Sequence, residues 1–253
     1  VAGILAVANQ KGGVAKTTTV HSLGAALAER GRRVLLVDLD PQACLTYSTG
    51  TDPEILEVSL HDVLLGRSTA ADAVVNTDEV DLLPANIDLA GAEVHLLTRP
   101  GREHILARAL APLLADYDQV IIDCPPSLGV LTINGLTAAA RVLIPLQCDT
   151  LGHRGVGQLL ETIADVRAFT NADLVVEGVV ATMFDPRTRL AQDTLAAVGA
   201  SYGLAVLDPP IPKSVRVAES PGRGRSILRH AAHSAPAEAY RALAAHLDAH
   251  PAA

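Results

Sequence analysis

An apolar run, Ile4 to Ala8, passes directly into Q-K-G-G-V-A-K-T-T-T at Gln10 to Thr19, and Thr17 to Arg30 then carries Ala and Leu at helical spacing. Few architectures accept that order. A strand must end where Gly12 and Gly13 let the backbone curl, and a helix must start at once. The N–H groups of the turn then converge with the positive end of the helix dipole, an arrangement that suits phosphate. Lys16 supplies a cation for β- and γ-phosphates, Thr17 a hydroxyl for Mg²⁺, and Thr18 a hydroxyl or N–H for the α-phosphate, with Val14 and Ala15 completing the loop. The ordinary G-x-x-x-x-G-K-[ST] pattern is not matched. Gln10 and Ala15 stand where its glycines would be, and an additional lysine, Lys11, precedes Gly12.

The same alternation continues along the chain. Candidate strands are Ile4 to Ala8, Val34 to Val37, Val80 to Leu83, Val120 to Ile122, Val142 to Leu146 and Val175 to Thr182. Candidate helices are Thr17 to Arg30, Arg102 to Ala115, Thr132 to Ala140, Gly155 to Ala168, Leu190 to Tyr202 and Ala235 to His250. Strand alternating with helix predicts an α/β fold with a doubly wound, mostly parallel sheet and helices on both faces, as in P-loop NTPases. Aromatics are only 2% of the 253 residues, so the core has to be built from Ala, Val, Leu and Ile. With no repeat, low-complexity linker or composition shift, residues 1–253 read as one domain. Arg30, Gly31 and Arg32 predict a glycine C-cap, and Asp208 to Arg225 an ordered loop region.

Two further strands deliver acids. V-L-L-V-D-L-D-P-Q ends in Asp38 and Asp40, and V-I-I-D-C-P-P-S delivers Asp123 ahead of a loop stiffened by Pro125 and Pro126. Acids at the carboxyl ends of parallel strands face the ligand crevice. There they can serve a metal ion or orient a water, and the proline loop could sense a γ-phosphate.

Charge and composition narrow the classes. A formal charge of −8 excludes a protein that is basic all over, so any nucleic-acid contact must come from a local patch. Cys44, Cys124 and Cys148 show neither C-x-x-C nor zinc spacing and read as buried thiols. His230 and His233 lack a third ligand nearby, and there is no G-x-S-x-G elbow. The sequence carries no apolar stretch of membrane-spanning length and no secretion signal, which predicts a cytoplasmic protein. No helix-turn-helix arm is expected ahead of the first strand.

Together K-G-G-V-A-K-T-T-T, V-D-L-D-P-Q, L-P-A-N-I-D-L, D-C-P-P-S-L, F-D-P-R-T and I-P-K-S-V-R-V-A-E-S closely resemble the ParA/MinD family of dimerising ATPases with a deviant Walker A loop, and within it the ParA/Soj partitioning proteins. The resemblance implies a homodimer sandwiching two ATP molecules, with Lys11 reaching the partner's phosphates and Gly12 at the close approach of the chains. It gives Asp40 the hydrolytic water and Thr17, Asp38 and Asp123 the Mg²⁺ environment. It places adenine near Met183, Asp185, Pro210 and Pro212. Non-specific DNA contacts are implied at Arg187, Lys213 and Arg216, with Arg189, Arg223, Arg225 and Arg229 as further candidates. The implied role is an ATP-dependent switch in chromosome or plasmid partition, nucleoid-associated, with a ParB-type centromere-binding partner and slow ATP hydrolysis. A MinD-like membrane regulator would need a basic amphipathic tail, whereas the residues after Leu243 are Ala- and His-rich. An ATP-dependent metabolic enzyme of the same fold is the other alternative.

Overall fold

The computed structural model describes residues 2–149 and 152–249. Its strands are β1 (Gly3–Val7), β2 (Val34–Asp38), β3 (Val75–Asn76), β4 (Asp81–Leu83), β5 (Gln119–Asp123), β6 (Arg141–Gln147), β7 (Val175–Thr182) and β8 (Val206–Leu207). They form one eight-stranded sheet in the order β3-β4-β2-β5-β1-β6-β7-β8. Every pairing is parallel except β3 with β4.

Both faces of this sheet are covered, which is why its strands read as unbroken apolar runs. Ile4, Ala6, Leu35, Val37, Val120 and Ile122 point into one core, where helices Leu89–Leu96, Val130–Ala138 and Gly152–Phe169 pack. Leu5, Val7, Leu36 and Ile121 point into the other, under helices Lys16–Glu29 and Ala235–Ala249. Those two helices are joined further by Thr19, whose hydroxyl lies 3.2 Å from that of the buried Tyr240. The doubly wound α/β expectation is met.

The helix from Lys16 ends as expected. Gly31 takes φ +82°, its N–H bonds to Ala28 O at 2.9 Å, and Arg32 N–H reaches Leu27 O at 3.2 Å. Elsewhere the structure corrects the expectations. The single helix over Arg102 to Ala115 is broken into a 3₁₀ turn, Arg102–His104, a short helix, Ile105–Leu110, and a second 3₁₀ turn, Ala111–Leu113. Pro112 has no N–H to give an α-helical ladder there, and Leu106 N–H is taken by Asn134 Oδ1 at 3.1 Å. The helix Val130–Ala138 starts earlier than expected and stops because Ala139 is extended. The next residue bonds instead to the sheet, Ala140 N–H to Ile4 O at 2.9 Å. Strands β3 and β8 lie outside the expected runs, as do the helices Cys44–Ser48, Leu60–Leu65 and Leu89–Leu96. Within 208–225, a helix, Val215–Glu219, and a 3₁₀ turn, Pro221–Arg223, stand in what reads as loop. His250, the expected end of the last helix, lies outside the described residues.

Candidate functional site

Strand register brings the sequence elements together. Asp38 of β2 pairs with Asp123 of β5, which pairs with Val7 of β1, so three strand ends share one row. Alternation puts both acids on the face of Leu36 and Ile121, which helix Lys16–Glu29 covers. They therefore point at that helix's first turn. A cavity of about 580 Å³ opens there, lined by Gly12, Lys16, Thr17, Thr18, Asp40 and Pro126 among others.

The loop is anchored at both flanks by side chains. Buried Asn9 donates to Pro145 O at 2.7 Å and accepts Lys11 N–H at 3.0 Å, and Thr182 Oγ1 donates to Val14 O at 3.0 Å. Gly13 takes φ +74°, and Ala15 takes φ +63° and ψ +34° as the residue preceding the helix. Ala15 thus occupies a left-handed conformation that disfavours a Cβ by about 1 kcal/mol. The loop nevertheless closes, with Thr19 N–H bonding to Ala15 O at 2.9 Å. Gly12 differs: a Cβ there would meet nothing within 4 Å, so nothing within the described chain demands a glycine.

The two lysines are held differently. Lys16 is buried and donates from Nζ to Lys11 O at 3.1 Å. Burial lowers its pKa, against the pull of Asp123, Cys124 and Asp40. Lys11 is half-exposed and forms an ion pair with Asp149.

The two buried acids share a row but not an environment. Asp38 accepts Thr46 N–H at 2.8 Å, Thr46 Oγ1–H at 2.7 Å and Asp40 N–H at 3.2 Å. Burial, only partly offset by these bonds, pushes its pKa up to about 6. Asp123 is equally buried, yet neither of its carboxylate oxygens has a hydrogen-bond partner. Burial, and then the charge of Asp38, raise its pKa well above the ordinary carboxylate value, with the nearby Thr17 hydroxyl, although outside hydrogen-bond geometry, and then Lys16 acting the other way. A buried carboxyl without a partner costs several kcal/mol if ionised. A divalent cation at this point would relieve that cost, and half-buried Thr17 with buried Asp38 and Asp123 fits Mg²⁺ in donor type. Asp40 is half-buried on the cavity wall, its Oδ1 accepting Gln42 N–H at 2.9 Å.

The remaining expected residues fall in a second region. Met183 takes φ +50°, and Phe184 bridges to Pro212, with Phe184 N–H on Ile211 O at 3.0 Å and Lys213 N–H on Phe184 O at 3.2 Å. Met183, Asp185, Pro210 and Pro212 are thereby brought side by side, next to the Thr182–Val14 anchor but outside the cavity lining. Arg187 is exposed and bidentate to Asp185 at 3.0 and 3.1 Å, and Arg229 pairs with Asp78 at 2.9 Å. Arg189, Lys213, Arg216, Arg223 and Arg225 are exposed and form no ion pair among the described residues. Cys124 is buried as expected, whereas Cys44 is exposed on the cavity wall and Cys148 is half-buried, a correction to the expected burial of all three thiols. Sequence reasoning misses Asn9, Asp149 and Thr182, whose partners lie far away in the chain, and Thr46, which meets Asp38 across the turn that follows β2. Only the buried-type pattern around Thr46 and Thr182 hints at them.

Known proteins share this fold. A family model described as an AAA domain matches residues 2–176. The sporulation initiation inhibitor protein Soj of Bacillus subtilis is 44% identical over 243 residues, covering 95% of this chain and 96% of that protein. The chain belongs to the ParA/MinD family of P-loop ATPases. A second match is a solved structure of cobyrinic acid a,c-diamide synthase from Mycobacterium smegmatis with a bound ATP analogue and magnesium. It is 58% identical, with TM-score 0.87, covering 97% of this chain and 93% of that one. The septum site-determining protein MinD of Pyrococcus horikoshii, complexed with Mg-ADP, is 25% identical with TM-score 0.76, covering 98% of this chain and 96% of its own.

Proposed function

We propose that this ParA/MinD-family chain is an ATP-driven partition switch: ATP and Mg²⁺ close a homodimer that binds duplex DNA non-specifically, and slow hydrolysis releases it. The observation that carries the reading is the convergence of Lys16, Thr17 and Asp40 on one cavity, with the buried Asp123 close enough to act on the charge of Lys16 and an exposed basic segment beside them. The partner is a ParB-type centromere-binding protein, and the cargo a chromosome or plasmid. The protein works in the cytoplasm on the nucleoid.

Lys16 and the loop N–H groups hold the β- and γ-phosphates, Thr18 holds the α-phosphate, and the Met183–Asp185 and Pro210–Pro212 segments hold adenine. Asp40 orients the attacking water in line with the γ-phosphate. Thr17, Asp38 and Asp123 would hold Mg²⁺, which would supply neutralisation of the phosphate charge. Lys11 completes the partner's site, for which it must leave Asp149. Gly12, exposed and free of neighbours, leaves room for the second chain.

Duplex retention measured with ATP, ADP and no nucleotide tests the reading. ATP-only retention is expected, and equal retention in all three states would overturn it. The likeness to the cobyrinic acid a,c-diamide synthase structure favours a second reading, ATP-dependent amidation. A corrin macrocycle would need space beyond the cavity of about 580 Å³ that already opens on the phosphate loop. Diamide formation from cobyrinic acid, ATP and an amide donor would decide for it. The membrane-regulator alternative is disfavoured because Tyr240, Leu243 and Leu247 of the last helix are buried in the core. No described helix is long and apolar enough to cross a membrane.

A further inference from the structure

On the other face of the sheet from the phosphate-loop helix, a second cavity of about 730 Å³ opens between two helical layers. The helices Leu60–Leu65 and Ala70–Ala73 give one wall, and the segment from Arg99 to Leu113 gives the other. Its floor includes Val63, Leu64 and Leu113, which belong to the core on that face, and it shares no lining residue with the phosphate cavity. From Ile105 to Ala115 every residue is apolar except Arg108. Leu106 and Leu110 turn inward and are fully buried. Ile105, Arg108, Ala109 and Pro112 follow one another at i, i+3, i+4 and i+7 and line the cavity. The segment therefore carries apolar residues on two sides, one packed in the core and one at the surface, where an amphipathic helix is ordinarily polar.

Charge narrows what can cover that surface. Among the residues that line the cavity only Arg99 and Arg108 are ionisable, in a chain whose formal charge is −8. Arg99 donates to Leu64 O at 3.0 Å and Leu65 O at 3.1 Å, carbonyls at the end of the helix Leu60–Leu65, and Arg108 donates to Gly101 O at 3.2 Å. These acceptors are neutral, so among the described residues no carboxylate balances either guanidinium. Each guanidinium has five N–H donors, more than these bonds use. The acids nearest in sequence are engaged elsewhere. Asp62 accepts Ser59 N–H at 3.1 Å and Asp72 the Thr69 hydroxyl at 2.6 Å, each at the start of its own helix, and Glu103 pairs with Arg102 at 3.0 Å. An occupant matching both properties brings an apolar stripe for the wall and carboxylates for the two arginines, which bind carboxylate more strongly than any neutral acceptor. The spacing of Ile105, Arg108, Ala109 and Pro112 is the one by which a helix packs against another helix laid in a groove.

We propose that this cavity is a docking groove for an acidic amphipathic helix of a partner protein, whose apolar face covers Ile105, Ala109 and Pro112 and whose carboxylates meet Arg99 and Arg108. The proposal is independent of the switch reading, since no residue of the phosphate cavity takes part. The probe is a synthetic helical peptide of about 20 residues with an apolar Leu stripe flanked by Glu, compared with copies carrying Lys for Glu or Ser for Leu. Fluorescence anisotropy on the whole chain should show binding of the Glu–Leu peptide and of neither copy, and hydrogen exchange should show that it protects 60–73 and 99–113. Arg108→Glu should weaken the Glu–Leu peptide by about tenfold or more and admit the Lys–Leu peptide, since reversing the charge reverses which partner is repelled. Ala71→Trp, at an exposed position on the wall, should fill the groove and exclude both, and it serves if thermal melts show that Arg108→Glu does not fold. The proposal is overturned by no binding of the Glu–Leu peptide, by equal binding of either copy, or by protection outside the groove. Undiminished binding to a folded Arg108→Glu or Ala71→Trp overturns it as well. So does a different occupant, shown by self-association of the chain that Ala71→Trp abolishes, or by dodecanoate protecting the groove where the peptide does not.

Discussion

The phosphate cavity and the basic C-terminal segment are built by opposite means. Around the cavity, β1, β2 and β5 are adjacent and in register, the supporting Asn9, Thr46 and Thr182 are buried, and Asp38 alone accepts three hydrogen bonds. The basic segment consists of a five-residue helix, a 3₁₀ turn and a four-residue helix, and its cations are exposed. Rigid geometry suits a reaction that needs groups held to within fractions of an ångström. Loose, solvated cations suit a polyanion read only through its phosphates. The contrast also shows in how charge is managed: Arg187 and Arg229 are paired at the surface, where such pairs contribute little, while Asp123 is left buried and partnerless.

Four experiments probe that contrast, beginning with the largest effect. Replacing Asp40 by Ala should lower phosphate release by about 100-fold or more while ATP-dependent dimers persist, read by single-turnover kinetics and sedimentation. Release at the wild-type rate would remove Asp40 from the reaction. Lys213→Glu with Arg216→Glu should abolish duplex retention at low salt and, in the single neutral variants, lower the salt slope by about one each, with ATP affinity unchanged. Retention that survives the double change would put the DNA surface elsewhere.

Ala15→Gly should relieve the left-handed strain and raise stability in urea by up to about 1 kcal/mol, less whatever the added freedom of glycine in the unfolded chain takes back. A loss of stability would mean that the Ala15 methyl makes contacts worth more than its strain.

The fourth effect is a pH dependence. Asp38 is raised by burial to about 6, above its unfolded value, so the folded state binds the extra proton. Its contribution to metal-free stability is therefore greatest at low pH and falls as pH rises from the ordinary carboxylate range to about 6, then stays flat. Mg²⁺ with nucleotide should offset that fall. Thermal melts between pH 4 and pH 7, with and without both ligands, check the sign; a metal-free melt that rises steadily through this range in wild type and is unaltered in Asp38→Asn would contradict it.

Much of the phosphate-loop end is legible in the sequence, since the elements that carry it are local. Q-K-G-G-V-A-K-T-T-T is a contiguous strand–turn–helix whose chemistry lies in its own residues, and Asp38, Asp40 and Asp123 each close an unmistakable apolar run. Hidden from it are two-residue β3 and β8, too short for any periodicity, and the break at Pro112 in the helix over Arg102 to Ala115. The exposure of Cys44 is equally hidden, because burial of a short helix's one face is settled by what packs on it.

The order of apolar runs and the phosphate loop determined a doubly wound sheet with a nucleotide-handling edge, because hydrophobic periodicity and turn chemistry act over a few residues. Tertiary structure alone decided that Ala15 sits at positive φ, that Lys11 is paired with Asp149, and that Asp123 is without a partner beside a satisfied Asp38. Those contacts depend on groups that meet only after the strands have ordered themselves, and no local pattern encodes a contact between residues separated by tens of positions or more.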